Sequence, residues 1–567
     1  MNIFTKAYLV MHLARWRAGW YRQNTRFAYT VPGNPKFMGP REAVGHCIRD
    51  GDLVGISGLG GNHRVSILYY AIRDLFKETG HPRDLSIVAI GGIGGRGLIP
   101  GTLEELGYEG LVKRFFSGHL ETYKSVLKLA DEGLVELHAI PQGQLAFLID
   151  GQARGETSMT SETAVGTFID PRVGQCSPLM GRGTEQFVSA EGDRLRYELP
   201  KVNVAIFNAP AADRVGNIYV KNCAMIAESL ELTRAARRNG GKVIVNVGLV
   251  VDEGYDEVFL PAEEVDAVVV WRGTEQVGGT PHRRYWPMFT TESDMPVEEA
   301  ISRARFITNL LGITPRRTPV EFAVARQGAS IFAQNAKKGS YVNIGVGLPE
   351  EVCRVMVESG LLDDITLLTE SGVMGGLPAP GPFFGTAACP ERIMSSAEIF
   401  RLCYEKLDAT VVGVLQADSA GNVNVSKRGE GAINYVGPGG FIDLTTAAKM
   451  VIFVSSWMAH AEFKLINGKV MITKPGKVKF VDAVDEITFN GQRALERGKK
   501  VFYVTNVGTF QLTPRGMELI TVMPGIDIQR DIIDATPMNV VLPPSNDVPV
   551  ADEAIMTGKG FRLSLGD

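Results

Sequence analysis

Residues 364–375 read Asp-Ile-Thr-Leu-Leu-Thr-Glu-Ser-Gly-Val-Met-Gly, and residues 84–95 read Asp-Leu-Ser-Ile-Val-Ala-Ile-Gly-Gly-Ile-Gly-Gly. They align without a gap. Each is a short apolar run that ends in glycines, the pattern of a buried strand feeding a tight turn. Three more pairs follow in the same order. Gly51–Gly61 matches Gly339–Pro349, Asp213–Val220 matches Asp418–Val425, and Lys242–Val247 matches Lys449–Val454. Four matched pieces in one order describe an internal duplication. Between them, strand-like runs (Leu53–Ile56, Leu85–Ile90, Val202–Phe207, Ala267–Trp271) alternate with helix-like stretches such as Ser66–Lys77. That alternation predicts two similar open α/β domains with mostly parallel sheets.

The expected division is a basic N-terminal arm (1–36), a first domain (37–275), a linker (276–318), a second domain (319–525) and a peripheral tail (526–567). The offset between the copies falls from 280 residues at Asp84/Asp364 to 205 at Asp213/Asp418, so the first copy has about 75 extra residues. The linker reads Gly278-Gly279-Thr280-Pro281 and Trp286-Pro287, then a helix-like stretch from Val297 to Leu311, then Pro315-Arg316-Arg317. The arm carries Lys6, Arg15, Arg17, Arg22, Arg26, Lys36 and Arg41, with no acid before Glu42. Its Ile3, Phe4, Ala7, Tyr8, Met11 and Ala14 recur at helical spacing. Packing on this chain or on another subunit is the favoured reading; a peripheral contact with an anionic membrane is the alternative.

Composition narrows the function classes. The net charge of −4 over 567 residues lacks the basic surplus of a nucleic-acid binder. No apolar run approaches the roughly 18 residues of a membrane span. Six cysteines, at 47, 176, 223, 353, 389 and 403, form no C-x-x-C pair. They fit a reducing cytoplasm better than a disulfide framework. The eight histidines show no metal-binding spacing, so no metal site is expected. Glycine, at 64 of 567 residues, is well above the usual share. Much of that excess recurs in both copies as turn scaffold.

One position breaks the duplication. Ile90 in the first copy corresponds to Glu370 in the second. A carboxylate at the end of a parallel strand, in a glycine turn, lies where open α/β sheets place ligands. Because the equivalent turn carries isoleucine, the acid is not required by the turn itself. Such a group can act as a general base or as a covalent nucleophile. A carboxylate attacking a thioester or anhydride needs donors for the developing oxyanion, and glycine backbone supplies them without bulk. Gly345-Val346-Gly347 and Gly437-Pro438-Gly439-Gly440 are the candidates.

At these residues the sequence resembles family I coenzyme A transferases, most closely their fused two-domain branch. The resemblance spans about residues 37–530. It rests on Thr369-Glu370-Ser371-Gly372, Val342–Pro349, Asp418–Ser426, Gly437–Asp443, Gly166–Arg172 and Val504–Gly525. It implies a ping-pong transfer of coenzyme A from an acyl-CoA to a carboxylic acid. Glu370 would be the nucleophile and would carry a glutamyl-CoA thioester. Gly439 and Gly440 would form the oxyanion hole, and Asn343, Gly345, Val346, Gly347, Leu348 and Pro349 would line the CoA side. The active site would lie between the domains. CoA is then a substrate, no cofactor is needed, and a homo-oligomer, dimer or tetramer, is expected. The stretch Arg401–Asp408 lacks the glycines of that branch, and Ser117–Glu121 departs from it too, so the acyl pocket is expected to have narrowed or moved.

Three alternatives stand beside this reading. A thioester hydrolase would use the same scaffold with water as acceptor. A non-catalytic CoA-binding protein would leave Glu370 without a purpose. Gly92-Ile93-Gly94-Gly95-Arg96-Gly97 is a literal G-x-G-x-x-G and suggests a dinucleotide-binding oxidoreductase. However, Pro100 and Gly101 interrupt the helix that such a site requires.

Overall fold

The protein is described by a computed structural model covering residues 1–19, 23–94, 99–179, 185–278, 280–282, 286–312 and 316–566. Arg22, Gly95, Arg96, Gly97, Gly279 and Pro315, used above, lie outside the described residues. Two large sheets organise it. The strands of the first are β1 (Leu53–Ile56), β2 (Leu85–Val88), β3 (Val112–Ser117), β4 (Glu136–Ala139), β5 (Val204–Asp213), β6 (Lys242–Val251) and β7 (Ala267–Val270). Their order is β7-β6-β5-β1-β2-β3-β4, parallel throughout. The second sheet comprises β8 (Ser340–Ile344), β9 (Ile365–Leu368), β10 (Val373–Met374), β11 (Arg392–Ile393), β12 (Leu407–Val412), β13 (Met450–Val454), β14 (Lys500–Val504), β15 (Gly508–Thr513), β16 (Gly516–Val522) and β17 (Val540–Val541). Its order is β11-β10-β9-β8-β12-β13-β14-β15-β16-β17.

The duplication is visible strand by strand. The block β7-β6-β5-β1-β2 repeats as β14-β13-β12-β8-β9, all parallel. Parallel sheets are covered on both faces, and their strands read as continuous apolar runs. Thus β1 (LVGI), β7 (AVVV) and β13 (MVIFV) are buried along their whole length.

The copies differ where the first holds its extra residues. That insertion supplies β3, β4, the helices Lys124–Asp131 and Gln142–Arg154, and a small antiparallel sheet of Ser158–Ser161, Val188–Glu191 and Arg194–Glu198. In the second copy, β9 instead turns back through an antiparallel pairing with β10.

The connection between the sheets is packed. Trp286, Met288 and Phe289 are buried, and the Phe289 ring lies 5.1 Å from that of Phe383. A helix spans Val297–Leu311, with Ala300, Ala304 and Ile307 inward. The next helix, Pro319–Asn335, starts at a capping box of Thr318 and Glu321 with Pro319 at its first position, a favourable start on every count. The last segment adds β17 to the sheet edge and packs the helix Glu553–Thr557 through buried Met556.

At the other terminus, Ile3–Gly19 is one helix. Leu9 and Leu13 are its buried residues. The apolar set at helical spacing faces outward, with Ile3 75 %, Phe4 83 % and Met11 53 % exposed. Trp16 Nε1 donates to Glu275, whose carboxylate forms a buried ion pair with Arg64 at 2.5 Å. Among the described residues, no helix is long and apolar enough to cross a membrane.

Candidate active site

Glu370 lies two residues beyond the end of β9, as Ile90 lies two beyond β2. Its turn is fixed by the backbone: Thr369 N–H donates to the Val373 carbonyl at 2.9 Å. Gly372 has φ +100°, and a Cβ there would lie 1.9 Å from the Met394 carbonyl oxygen, so no other residue fits. Ser371 is fully buried, and its hydroxyl donates to the Gly385 carbonyl, tying the turn to the loop after β10.

The recess around the carboxylate is built from both halves of the chain. Its roof is the Gly437–Asp443 segment. Leu120 N–H donates to the Val436 carbonyl at 2.8 Å, Gly439 N–H to Gly118 at 2.7 Å, and Gln142 N–H to Gly439 at 2.9 Å. The Asp443 carboxylate accepts from Gly143 N–H at 2.8 Å, Gln144 Nε2 at 2.7 Å and the Tyr404 hydroxyl at 3.0 Å. Gly118, Leu120, Gln142, Gly143 and Gln144 all belong to the insertion of the first copy. The extra residues therefore build the surface on which the second copy's glycine segment rests.

One wall is the helix Ser396–Lys406. Ser395 caps it: Glu398 N–H donates to Ser395 Oγ at 3.3 Å, and Ser395 N–H donates to the Glu398 carboxylate at 2.9 Å. The helix aims Phe400 and Cys403 inward, both buried. A Cβ on Gly440 would lie 3.4 Å from the Phe400 ring and 3.6 Å from Glu370 Cβ. Arg401–Lys406, the stretch that lacks the expected glycines, is thus helix wall and not open loop. Burial pushes the Cys403 thiol up to about 12, with Glu370 and Asp443 adding to the shift, so it stays protonated and does not compete as a nucleophile.

Burial also pushes Glu370 up to about 7, opposed by hydrogen bonds including one from the Asn343 side chain and reinforced by the negative charge of Asp443. Near neutral pH the carboxyl is poised between its acid and its nucleophilic form. Asp443 is itself raised to about 6, again chiefly by burial.

The structure sorts the residues expected from the sequence. Gly440 faces Glu370, and its N–H has no partner among the described residues. Gly439 does not fit as an oxyanion donor because its N–H is already taken by Gly118. Asn343 is 1 % exposed, so it does not line an open CoA channel; its Nδ2 donates to the Leu368 carbonyl at 3.2 Å and its side chain holds Glu370. Gly345 to Leu348 are accessible, with Val346 43 % exposed, whereas Pro349 is buried in the first turn of the helix Leu348–Glu358. Gly345 N–H donates to the Val411 carbonyl at 2.8 Å, which leaves the loop's open surface to Val346 and Gly347. Sequence reasoning missed Gln144 and Tyr404. Their only signal is the acid Asp443 that ends the glycine segment and, when buried, needs donors. The G-x-G-x-x-G reading finds no support among the described residues: after Gly94 the next helical element is the single turn Leu103–Leu106, not a helix opening on the glycines.

No protein-family model matches the chain. It is 33 % identical over 513 residues to a caffeate CoA-transferase of Acetobacterium woodii, covering 88 % of this chain and 93 % of the relative. It is 29 % identical over 548 residues to the acetate CoA-transferase YdiF of Escherichia coli K12, covering 94 % and 98 %. The crystal structure of the acyl-CoA transferase YdiF apoenzyme from E. coli O157:H7 superposes with a TM-score of 0.80 at 28 % identity, covering 93 % and 97 %. The thioester complex of that enzyme with CoA matches equally well. The chain belongs to the family I coenzyme A transferases, in their fused two-domain branch. It is an enzyme that transfers coenzyme A from an acyl-CoA to a carboxylic acid.

Proposed function

We propose that Glu370 is the covalent nucleophile of this transfer. Its ionised oxygen attacks the thioester carbonyl, the carbon–sulfur bond breaks, and CoA leaves as thiolate from an acyl-glutamyl anhydride. The thiolate attacks the glutamyl carbonyl and releases the first carboxylate, leaving a glutamyl-CoA thioester. A second carboxylate attacks that thioester, and the thiolate, expelled again, takes the new acyl group and frees Glu370. Bonds are exchanged without change of oxidation state, so no redox cofactor enters the balance and CoA is a substrate. The observation that carries this reading is the carboxylate itself, held by Asn343 against the free amide of Gly440 where the duplicated strand bears Ile90. We assign the oxyanion to the Gly440 N–H and the CoA side to Gly345–Leu348. An acetate- or caffeate-like acid is the acceptor class to test first.

Incubation with acetyl-CoA, trapping with borohydride or hydroxylamine and peptide mass spectrometry should place the modification on Glu370. Absence of label there across a panel of acyl-CoAs sinks the assignment. Release of free acid and CoA without an acceptor, at the rate of transfer, would favour the hydrolase.

We further propose a homo-oligomer in a reducing cytoplasm, the latter consistent with six free cysteines. The outward face of the N-terminal helix, with Ile3, Phe4, Tyr8 and Met11 beside Lys6 and Arg15, suits the surface of an anionic bilayer. Flotation with phosphatidylglycerol vesicles, reduced by Phe4→Glu and absent with phosphatidylcholine, checks this. Light scattering of the purified chain reads its oligomeric state.

A further inference from the structure

The packed connection carries chemistry that the transfer mechanism leaves unused. A cleft of about 230 Å³ opens beside Gly345 and is bordered by Arg305, Arg316, Arg317 and Arg354. Arg305 lies on the helix Val297–Leu311, Arg316 and Arg317 precede the next helix, and Arg354 lies on the helix that begins after Gly347. Two acids, Glu350 and Glu351, share the cleft. Glu351 is spent on Arg354 at 3.0 Å and Arg317 at 3.6 Å. Burial pushes the Glu350 carboxyl up to about 7, which weakens it as a counter-charge. Arg305 and Arg316 have no ion-pair partner among the described residues. Burial and the neighbouring Arg354 lower the Arg305 pKa, so its charge stands in the cleft uncompensated. The Nε atoms of Arg317 and Arg354 are buried without a hydrogen-bond partner. The Arg354 guanidinium is held over the Phe322 ring at 4.3 Å. A concave surface that crowds guanidinium groups with spare donors is built for a polyanion with planar, multidentate oxygens, that is, for phosphates.

The placement says which polyanion. Gly345 follows β8 two residues past Asn343, which holds Glu370, and Phe384, also lining the cleft, is next to Gly385, which anchors the Glu370 turn through Ser371. The cleft is thus the outward continuation of the Glu370 recess, and a thioester at Glu370 would trail its carrier along Val346 and Gly347 into it. We propose that the connection between the two copies, through Arg305 and Arg316, recognises the phosphates at the nucleotide end of CoA, and so selects free CoA thioesters over pantetheine thioesters that lack that end. This rests on the assignment of Glu370 as the acyl acceptor. It makes the connecting segment, which has no counterpart in the duplication, the carrier-specificity element of the enzyme.

The test measures binding with the full-length protein. Calorimetric titration with CoA, dephospho-CoA and pantetheine is run on wild type, Arg305→Ala/Arg316→Ala and Arg305→Lys/Arg316→Lys. The alanine pair is expected to weaken CoA binding by about a hundredfold, about tenfold for each guanidinium–phosphate hydrogen bond removed. Dephospho-CoA should lose less and pantetheine should not change. The lysine pair should recover part of the CoA affinity, which separates the effect from misfolding. Added salt should weaken CoA for wild type more steeply than for the alanine pair. CoA affinity within twofold of wild type in the alanine pair overturns the proposal, as does equal weakening of CoA and pantetheine. Trapping at Glu370 is scored on the same preparations. Label on Glu370 with unchanged CoA affinity refutes only the phosphate assignment. Loss of CoA affinity without label at Glu370 in wild type refutes the nucleophile.

Discussion

Replacing Glu370 by glutamine should remove the activity and, above neutral pH, strengthen the fold. The structure raises the Glu370 carboxyl from 4.5 to about 7, mainly through burial. Between those values the folded state binds more protons than the unfolded chain, so stability falls as pH rises through the window and the penalty is complete above about pH 7. At about 1.4 kcal/mol per tenfold change in the equilibrium, the full penalty is about 3 kcal/mol. Glutamine has nearly the same shape and does not ionise. The other buried acids, Glu228 raised to about 8 and Glu231 to about 7, are common to both proteins and cancel in the difference. The variant's advantage in unfolding free energy should therefore grow by about 2 kcal/mol between pH 5 and pH 7.5 and then level off. Urea denaturation at a series of pH values, followed by tryptophan fluorescence, measures it. Transfer activity, assayed in parallel, should fall at least about a thousandfold, as when other covalent nucleophiles are removed. A difference that stays constant across this range, or a variant less stable than wild type at pH 8, would refute the account of a desolvated, titrating carboxylate.

The same shift fixes the acid limb of catalysis: kcat/KM for acyl-CoA should rise about tenfold per pH unit below about 7 and flatten above it, as stopped assays in constant-ionic-strength buffer can show. Asp443→Asn removes the negative charge that raises Glu370, so this limb should move to lower pH, while the loss of an acceptor for Gly143 and Gln144 lowers the melting temperature. Gly372→Ala would place a Cβ 1.9 Å from the Met394 carbonyl oxygen on a backbone with positive φ, and should cost several kcal/mol, read as lost soluble yield or a lowered melting midpoint. Gly440→Ala keeps the amide and meets only Phe400 and Glu370 at 3.4–3.6 Å; it should leave the melting midpoint within a few degrees but reduce kcat by about tenfold or more by crowding the nucleophile.

Sequence alone determined the repeated scaffold. Apolar runs closed by glycines recur with one spacing, and hydrophobic strands in parallel sheets carry their burial in the residues themselves. Glu370 was legible for the same reason: a charge stands where the copy keeps Ile90, and a local comparison is enough to see it. The family resemblance added the glycine segments. What surrounds the carboxylate was decided by the tertiary structure. Gly439 and Gly440 are equivalent as letters, yet one amide is consumed by Gly118, more than 300 residues away, and the other is left facing Glu370. Asn343 reads as part of a substrate loop and turns out to be a buried support for the nucleophile. The apolar spacing of the N-terminal helix is present, but Leu9, Leu13 and Trp16 dock it and leave that face outward, because the bonds to Glu275 and the second core select the orientation. Nor does the sequence show that Arg305, Arg316, Arg317 and Arg354 share a cleft. Local pattern reports what each segment prefers; which amide, charge or face stays free depends on the partner that distant chain brings to it.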